Sequence, residues 1–457
     1  MKSVTTKKAR WMIMLGLMIA GSSFAQDTTA LTGTVTLDQC IAIAIKNNLQ
    51  VNQTNFQSQQ SKVYLMEARG NFLPYISGNI NHYLSEGRVI NTADNSYATQ
   101  SSTGASWGLN LNVTVWNGGA IRNNASAYKY SEEASRMDVQ QQKDNISINV
   151  ILAYLQVLSN EEQLAAAISQ VDAVKQQVQK STDLNEAGAL SNPADLANLK
   201  GQLASAELNV VSYQRAVETS KITLLQYLNV PYTSNFELQK ISANVTPESY
   251  GSSADDIYLQ ALQNLPLVRS GHLKTLSAEK GLKAAKGQLW PQLSFGPSAG
   301  SNYSSLATEP VAPHNKIPYF TQLGNNFGSS FSLGLSIPIL NGFRNKGAVQ
   351  LARISLNQAK FNETTNKTVL QQNIKQAVVN VNAGYDSYQK IEEQVTDFTE
   401  AARVAQVRFN QGVTTVVEYI VAKSSADQAT LNLIATKYDY ILRTKILDYY
   451  QGKLKFQ

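Results

Sequence analysis

The chain has 457 residues, with 39 Lys+Arg against 33 Asp+Glu and a single cysteine. Lys2, Lys7, Lys8 and Arg10 fall in an N-terminal leader, so the remainder is close to neutral and lacks the basic footprint of a nucleic-acid partner. One cysteine, Cys40, excludes an intrachain disulfide and a thiolate metal cluster.

Residues 1–25 read as a signal peptide: basic residues, the apolar run Trp11 to Ala20, then Gly21-Ser22-Ser23-Phe24-Ala25, small at the positions a signal peptidase reads. That run is about half the roughly 20 residues a spanning helix needs. Cys40 lies too far past the cleavage point to carry a lipoprotein's lipid, and reads instead as a small buried hydrophobe on a helix. Residues 26–36 form an N-terminal segment ahead of the first helix.

Residues 37–229 make a first unit. Leu37 to Phe72 reads as a helix that stops before Pro74, because proline pushes the residue preceding it into extended conformation. A strand over 75–85 follows, then Glu86 to Ala105, whose Ser, Thr, Asn and Gly read as an external loop. In the strand over 106–116, Trp107, Leu109, Leu111, Val113 and Val115 alternate with Gly108, Asn110, Asn112 and Thr114, giving one apolar and one small polar face. From Gly119 to Glu186 there is no proline, and Ile146, Val150, Ala153, Val157, Leu164 and Ala167 keep a heptad seam. At about 1.5 Å per residue this helix is roughly 100 Å long. Gly188 to Pro193 offers a left-handed stop and a helix-starting proline, so the chain reverses into a helix over Ala194 to Leu228.

Residues 230–253 form a linker, placed midway along the long helix as an equatorial belt. The same order then returns in a second unit, residues 254–452. A helix over Asp255 to Leu289 stops before Pro291, and strands over 292–303 and 330–340 flank a polar loop, Ser304 to Gly328. A second long helix covers 344–411, Gly412-Val413-Thr414-Thr415 reverses the chain, and Val413 to Gly452 returns, leaving a tail at 453–457. Tyr97, Tyr319 and Phe320 are candidate aromatic anchors at a membrane interface. The expected fold class is mainly α with a small β part, in two tandem repeats of helix, strand, strand, long helix and helix.

Strands of roughly ten residues with one greasy face suit a tilted outer-membrane barrel wall. The chain supplies too few strands to close one, since roughly eight is the smallest closure and open edges cannot face hydrocarbon. A barrel must therefore be shared between copies. In each unit the two medium helices together match the length of the long one and can line it end to end. The same periods also allow a soluble sandwich or an exported coiled-coil adaptor or adhesin without a channel.

The two-copy order, Gly70-Asn71-Phe72-Leu73-Pro74 returning as Gly287-Gln288-Leu289-Trp290-Pro291, the Asn117-Gly118 and Asn341-Gly342 turns, and Arg408-Phe409-Asn410-Gln411-Gly412 resemble the TolC-type outer-membrane efflux channels over nearly the whole mature chain. The resemblance implies a homotrimer with a shared twelve-stranded β-barrel continuing into a periplasmic α-helical barrel. It also implies docking on a periplasmic adaptor (membrane fusion) protein driven by an inner-membrane pump of RND, ABC or similar type. The chain would then be the passive exit duct of a tripartite multidrug efflux or type I secretion system, located in the outer membrane and gated at the periplasmic tip.

Candidate tip residues are Asp183, Glu186, Asp195, Arg408 and Glu418. By resemblance Glu418 lies at or next to the family's acidic constriction, Arg408 ties hairpins together, and Thr414 stands where some members carry a gate arginine. No catalytic, cofactor or metal site is expected. His82, His272 and His314 are scattered, nucleotide-binding glycine patterns are absent, and Glu132-Glu133, Glu161-Glu162 and Glu392-Glu393 read as solvated helix faces.

Overall fold

The computed structural model describes residues 33–90, 96–187, 193–232, 236–240, 250–313 and 315–454. The signal peptide, residues 26–32 and 91–95, the reversal at 188–192, residues 233–235 and 241–249 of the 230–253 linker, His314 and the end of the tail lie outside the described residues. In chain order the elements are β1 (Gly33–Val35), α1 (Leu37–Asn47), α2 (Leu49–Gly70), β2 (Tyr75–Ile90), β3 (Tyr97–Trp116), α3 (Ala120–Glu186), α4 (Pro193–Leu228) and β4 (Phe236–Leu238). There follow α5 (Ala254–Asn264), α6 (Pro266–Gly287), β5 (Gln292–Ser304), α7 (Tyr319–Asn325), β6 (Gly328–Ser336), α8 (Arg344–Asn410) and α9 (Val416–Tyr450).

The first medium helix of each unit is broken where one continuous helix was expected, whereas α4 and α9 are continuous. Asn48 leaves helical geometry (ψ 130), and its side-chain oxygen accepts from the amides of Gln50 and Val51, so it caps α2 while ending α1. Leu265 likewise leaves helical geometry (ψ 130), without a side-chain cap, in front of Pro266, which has no amide to give to a continuing helix. Both breaks lie beside buried residues, Val51 next to the first and Leu265 at the second.

The core lies around these breaks. Cys40, Ile41, Val150, Val157, Leu224 and Phe236 belong to one buried cluster, and Ile257, Leu265, Ile374, Val381 and Leu447 to a second. Burial pushes the Cys40 thiol up to about 12, so it stays a neutral packing group. A two-stranded parallel sheet, β1 with β4, closes the first cluster; the sequence pattern gave no sign of it. Tyr154, 1 % exposed on α3, fastens this sheet through its hydroxyl, 2.7 Å from the Gln239 carbonyl and 3.2 Å from that of Val35.

The second sheet is antiparallel, four-stranded, in the order β2-β3-β5-β6. β2 and β3 are longer than expected: Ser85 to Ile90 pairs with Tyr97 to Ser102, where the composition suggested a loop. Once a ladder is started, backbone hydrogen bonding extends it through residues of weak strand propensity. β6 is shorter than expected, ending at Ser336 ahead of Pro338. Within the polar loop that follows β5, the buried Gln322 of α7 bonds the backbone of Ser304 and Ile317, holding the loop against the sheet.

The turn from β3 into α3 is tight enough to require glycine. Gly118 and Gly119 have φ of 62° and 76°, and a Cβ on Gly118 would sit 2.5 Å from the Gly287 carbonyl oxygen. At the turn into α8 the left-handed pair is Gly342, φ 60°, and Phe343, φ 62°; on Phe343 this conformation costs about 1–2 kcal/mol relative to glycine. Both long helices then run for 67 residues, about 100 Å.

Candidate functional site in the sheet wall and hairpin tips

The sheet has two chemically distinct faces. Ile76, Ile80, Leu84, Leu109, Phe331, Leu333 and Leu335 lie on one of them, exposed, and the register brings Ile76 opposite Leu111, Val113 opposite Phe295 and Phe295 opposite Leu333. An exposed apolar face of this extent needs an apolar neighbour. The other face is small and polar: Asn110 bonds Asn79 (3.2 Å) and Ser298 bonds Ser330 (2.8 Å). Among the described residues, none on this face between Tyr75 and Ser336 is charged.

Aromatic groups gather at both ends of the apolar face. Trp116 and Trp290 meet edge to face at 6.3 Å where the sheet joins the helices. At the far end Tyr303 packs on Tyr319 at 4.6 Å, Tyr319 on Phe320 at 5.4 Å, and Trp107 on Phe327 at 6.1 Å. Of the candidate anchors, Tyr319 and Phe320 thus join this belt, whereas Tyr97 lies beyond it under Arg88. The belts are separated by about nine residues of tilted strand, roughly 25 Å, the height of an outer-membrane apolar band.

At the opposite end of the molecule are the two hairpin tips. Leu199, Ala405, Val416 and Tyr419 form a small buried cluster, with Phe409 stacked on Tyr419 at 5.7 Å, so the tips of α4, α8 and α9 pack together. Thr415 caps α9 by accepting from the Glu418 amide. Arg408 Nη1 lies 2.9 Å from Glu418 Oε1, and the Thr414 hydroxyl donates to the other carboxylate oxygen. Arg408 therefore ties α8 to α9 within its own hairpin. Asp183 accepts from Gln179 and is exposed, as is Glu186; Asp195 lies half-buried in the first turn of α4. The structure unites Arg408 and Glu418 and leaves the other three outside that pair.

Several groups near the tips were not anticipated. Lys180 reaches across to Asn410 at 2.9 Å, and Gln170 and Gln163 reach the α9 backbone at Asp427 and Leu431. Burial raises the Asp427 carboxyl above its usual range, against the pull of its partner Lys423. The regular glutamines along α3 are the only sequence signal for this seam. The expected solvated carboxylates also find partners: Glu132 is buried beside Arg136, Glu161 pairs with Lys221 of α4, and Glu162 with Lys437 of α9. Among the described residues there is no cluster able to hold a metal ion and no helix long and apolar enough to cross a membrane. The latter says nothing against a β-barrel.

An amphipathic antiparallel sheet with aromatic belts, standing on helices of about 100 Å, is the build of an outer-membrane channel subunit. The chain belongs to the outer membrane efflux protein family, whose profile matches residues 40–230 and 257–448. It is thus an outer-membrane protein whose helical part extends into the periplasm. It is 21 % identical to toxin and drug export protein A of Aggregatibacter actinomycetemcomitans, covering 89 % of this chain and 83 % of that one. It is 22 % identical to the outer membrane protein TolC of Escherichia coli, covering 94 % and 83 %. Its fold is that of the Campylobacter jejuni CmeC outer membrane channel, with a TM-score of 0.77 over 96 % of this chain and 92 % of that one at 17 % identity.

Proposed function

We propose that three copies of this chain form one twelve-stranded barrel in the outer membrane, continued by a tube of helical hairpins. This assembly is the passive exit duct of a tripartite efflux or type I secretion system. A periplasmic adaptor protein seats it on an inner-membrane pump, which supplies the energy. The observation that carries this reading is the sheet: apolar on one face, uncharged and polar on the other, and unpaired at both edges. Hydrocarbon would cover the first face and water the second, and only further copies can satisfy the edges.

A barrel lumen lined by Ser, Gly, Asn and Thr has no charge with which to discriminate ions. Charge selectivity then falls to the tips, where threefold repetition would gather the Glu418 carboxylates. Gating would come from hairpins shifting against one another, resisted by the Lys180–Asn410 contact and the glutamine seam. Conductance in planar bilayers tests this: discrete channel steps are expected, with cation preference reduced in Glu418→Gln. Channel steps whose selectivity is unchanged by that substitution would remove Glu418 from the pore, and absence of any conductance would remove the duct.

A further inference from the structure

The ends of the helices next to the sheet are strongly basic. α6 carries Lys280, Lys283 and Lys286 against Glu279 in its last turns, and α8 begins with Arg344, Lys346, Arg353 and Lys360 and has no acidic residue before Glu363. Toward its tip α8 is mixed, with Glu392, Glu393, Asp397 and Glu400 against Lys390 and Arg403. A chain close to neutral beyond its leader thus concentrates cations where its helices meet the membrane-facing sheet.

Within this basic zone a groove of about 880 Å³ runs between the end of α2 and the first part of α3. Leu65, Met66 and Leu73 give it an apolar lining, and Met66 is 65 % and Leu73 69 % exposed. On the α3 wall the charges are matched: Arg136 holds the buried Glu132, and Lys129 lies 3.8 Å from Glu133. On the α2 wall Lys62 and Arg69 are exposed, and among the described residues neither has an acidic partner. They stand two turns apart, about 10 Å along the helix, on the face that carries Met66.

The groove opens on the same side as the apolar face of the sheet. The Ser305 amide donates to the Thr103 carbonyl at 2.8 Å, so the odd-numbered residues of β3, Trp107 and Leu109 among them, direct their own backbone groups at β5. With L-residues this sets the strand order as right to left from β2 to β6, seen from the apolar face with the helices below. α2, α3, α6 and α8 follow in the same order. Right-handed winding then turns Lys62, Met66 and Arg69 toward the apolar side and the Tyr64–Tyr128 contact, at 6.1 Å, toward the other.

We propose that this groove holds an anionic phospholipid of the leaflet facing the periplasm, with its phosphate between Lys62 and Arg69 and an acyl chain over Met66 and Leu73. Leu73 lies two residues before β2, so the apolar lining leads directly into the strand that enters hydrocarbon. Two unpaired cations beside an apolar channel match a headgroup of net negative charge joined to a hydrocarbon tail. A zwitterionic headgroup would bring a third cation to them, and an acidic protein surface would leave the apolar lining unused. Basic residues bordering a membrane strengthen the binding of anionic headgroups about fivefold each. The site needs only a sheet seated in the membrane, at any copy number, so its failure and the failure of the duct are told apart.

The test is lipid binding by the full-length protein in a nonionic detergent, read by native mass spectrometry with added phosphatidylglycerol, phosphatidylcholine or glycerol 3-phosphate. Phosphatidylglycerol is expected to saturate at one molecule per chain, with no such adduct from the other two at the same concentration. Lys62→Gln with Arg69→Gln should weaken phosphatidylglycerol binding about 30-fold, and Arg69→Lys, which keeps the charge, should retain most of it. Lys390→Gln with Arg403→Gln, on the distal part of α8, should leave it unchanged. All four positions are exposed, so both double variants are expected to fold, which melting in detergent checks. Equal retention of phosphatidylcholine, or phosphatidylglycerol binding untouched by Lys62→Gln with Arg69→Gln, would overturn the site. Glycerol 3-phosphate held as tightly as the lipid would overturn the lipid as its occupant.

Discussion

Tyr154 is placed so that one hydroxyl holds two strands from distant parts of the chain, with the Gln239 carbonyl as its closer partner. Tyr154→Phe keeps the ring and strands a buried carbonyl, at a cost of about 1–2 kcal/mol, measurable as a lower melting temperature in detergent. Asp144 carries the opposite sign. Burial raises its carboxyl above the usual value of 3.8, more than the Gln140 hydrogen bond and Lys143 lower it. The folded chain therefore holds this proton more tightly than the unfolded one. Its contribution to stability grows as pH falls through the raised value toward 3.8, and at neutral pH the ionised group is a cost. Asp144→Asn is expected to melt above the wild type at pH 7, with the difference shrinking toward pH 4. The Arg408–Glu418 pair is half exposed on both sides and contributes about 0–1 kcal/mol, so Arg408→Gln should leave melting nearly unchanged. What it changes is charge: an unpaired Glu418 should strengthen cation preference in bilayer conductance, opposite to Glu418→Gln.

At the scale of elements, the long helices were the most legible part of the chain, because a heptad seam free of proline over such a length has few other readings. α3 and α8 begin and end within a residue of the expectation. The helix breaks rest on single residues, Asn48 and Pro266, whose capping and proline signals are masked in the sequence by the apolar period running through them. The extended β2–β3 hairpin was not legible, because its upper pairs rest on backbone hydrogen bonds and their side chains carry no alternation. The pairing of Glu161 and Glu162 with other helices was equally hidden, since spacing along one helix does not say what faces it. Of the tip, composition located Arg408 and Glu418 near a reversal but could not show that Thr414 also donates to Glu418. The junction of β3 and α3 gives the sharpest element-level prediction. Gly118→Ala meets both a left-handed φ and the Gly287 backbone, and should cost about 3 kcal/mol or more, seen as loss of folded protein in the membrane fraction.

For the whole molecule, the decisive property is incompleteness. A sheet with two free edges and a continuous apolar face is stable neither in water nor in lipid as a single copy. Helices of about 100 Å with exposed Leu351, Ile354 and Phe361 repeat the same statement below the membrane. In the proposed assembly other copies of the chain would relieve both defects, and the duct would exist only once they are in place. Native mass spectrometry of the detergent-extracted protein tests this most directly. The predicted result is a single species of three chains, dissociating only with unfolding; a folded monomer, or a species of any other copy number, would contradict it.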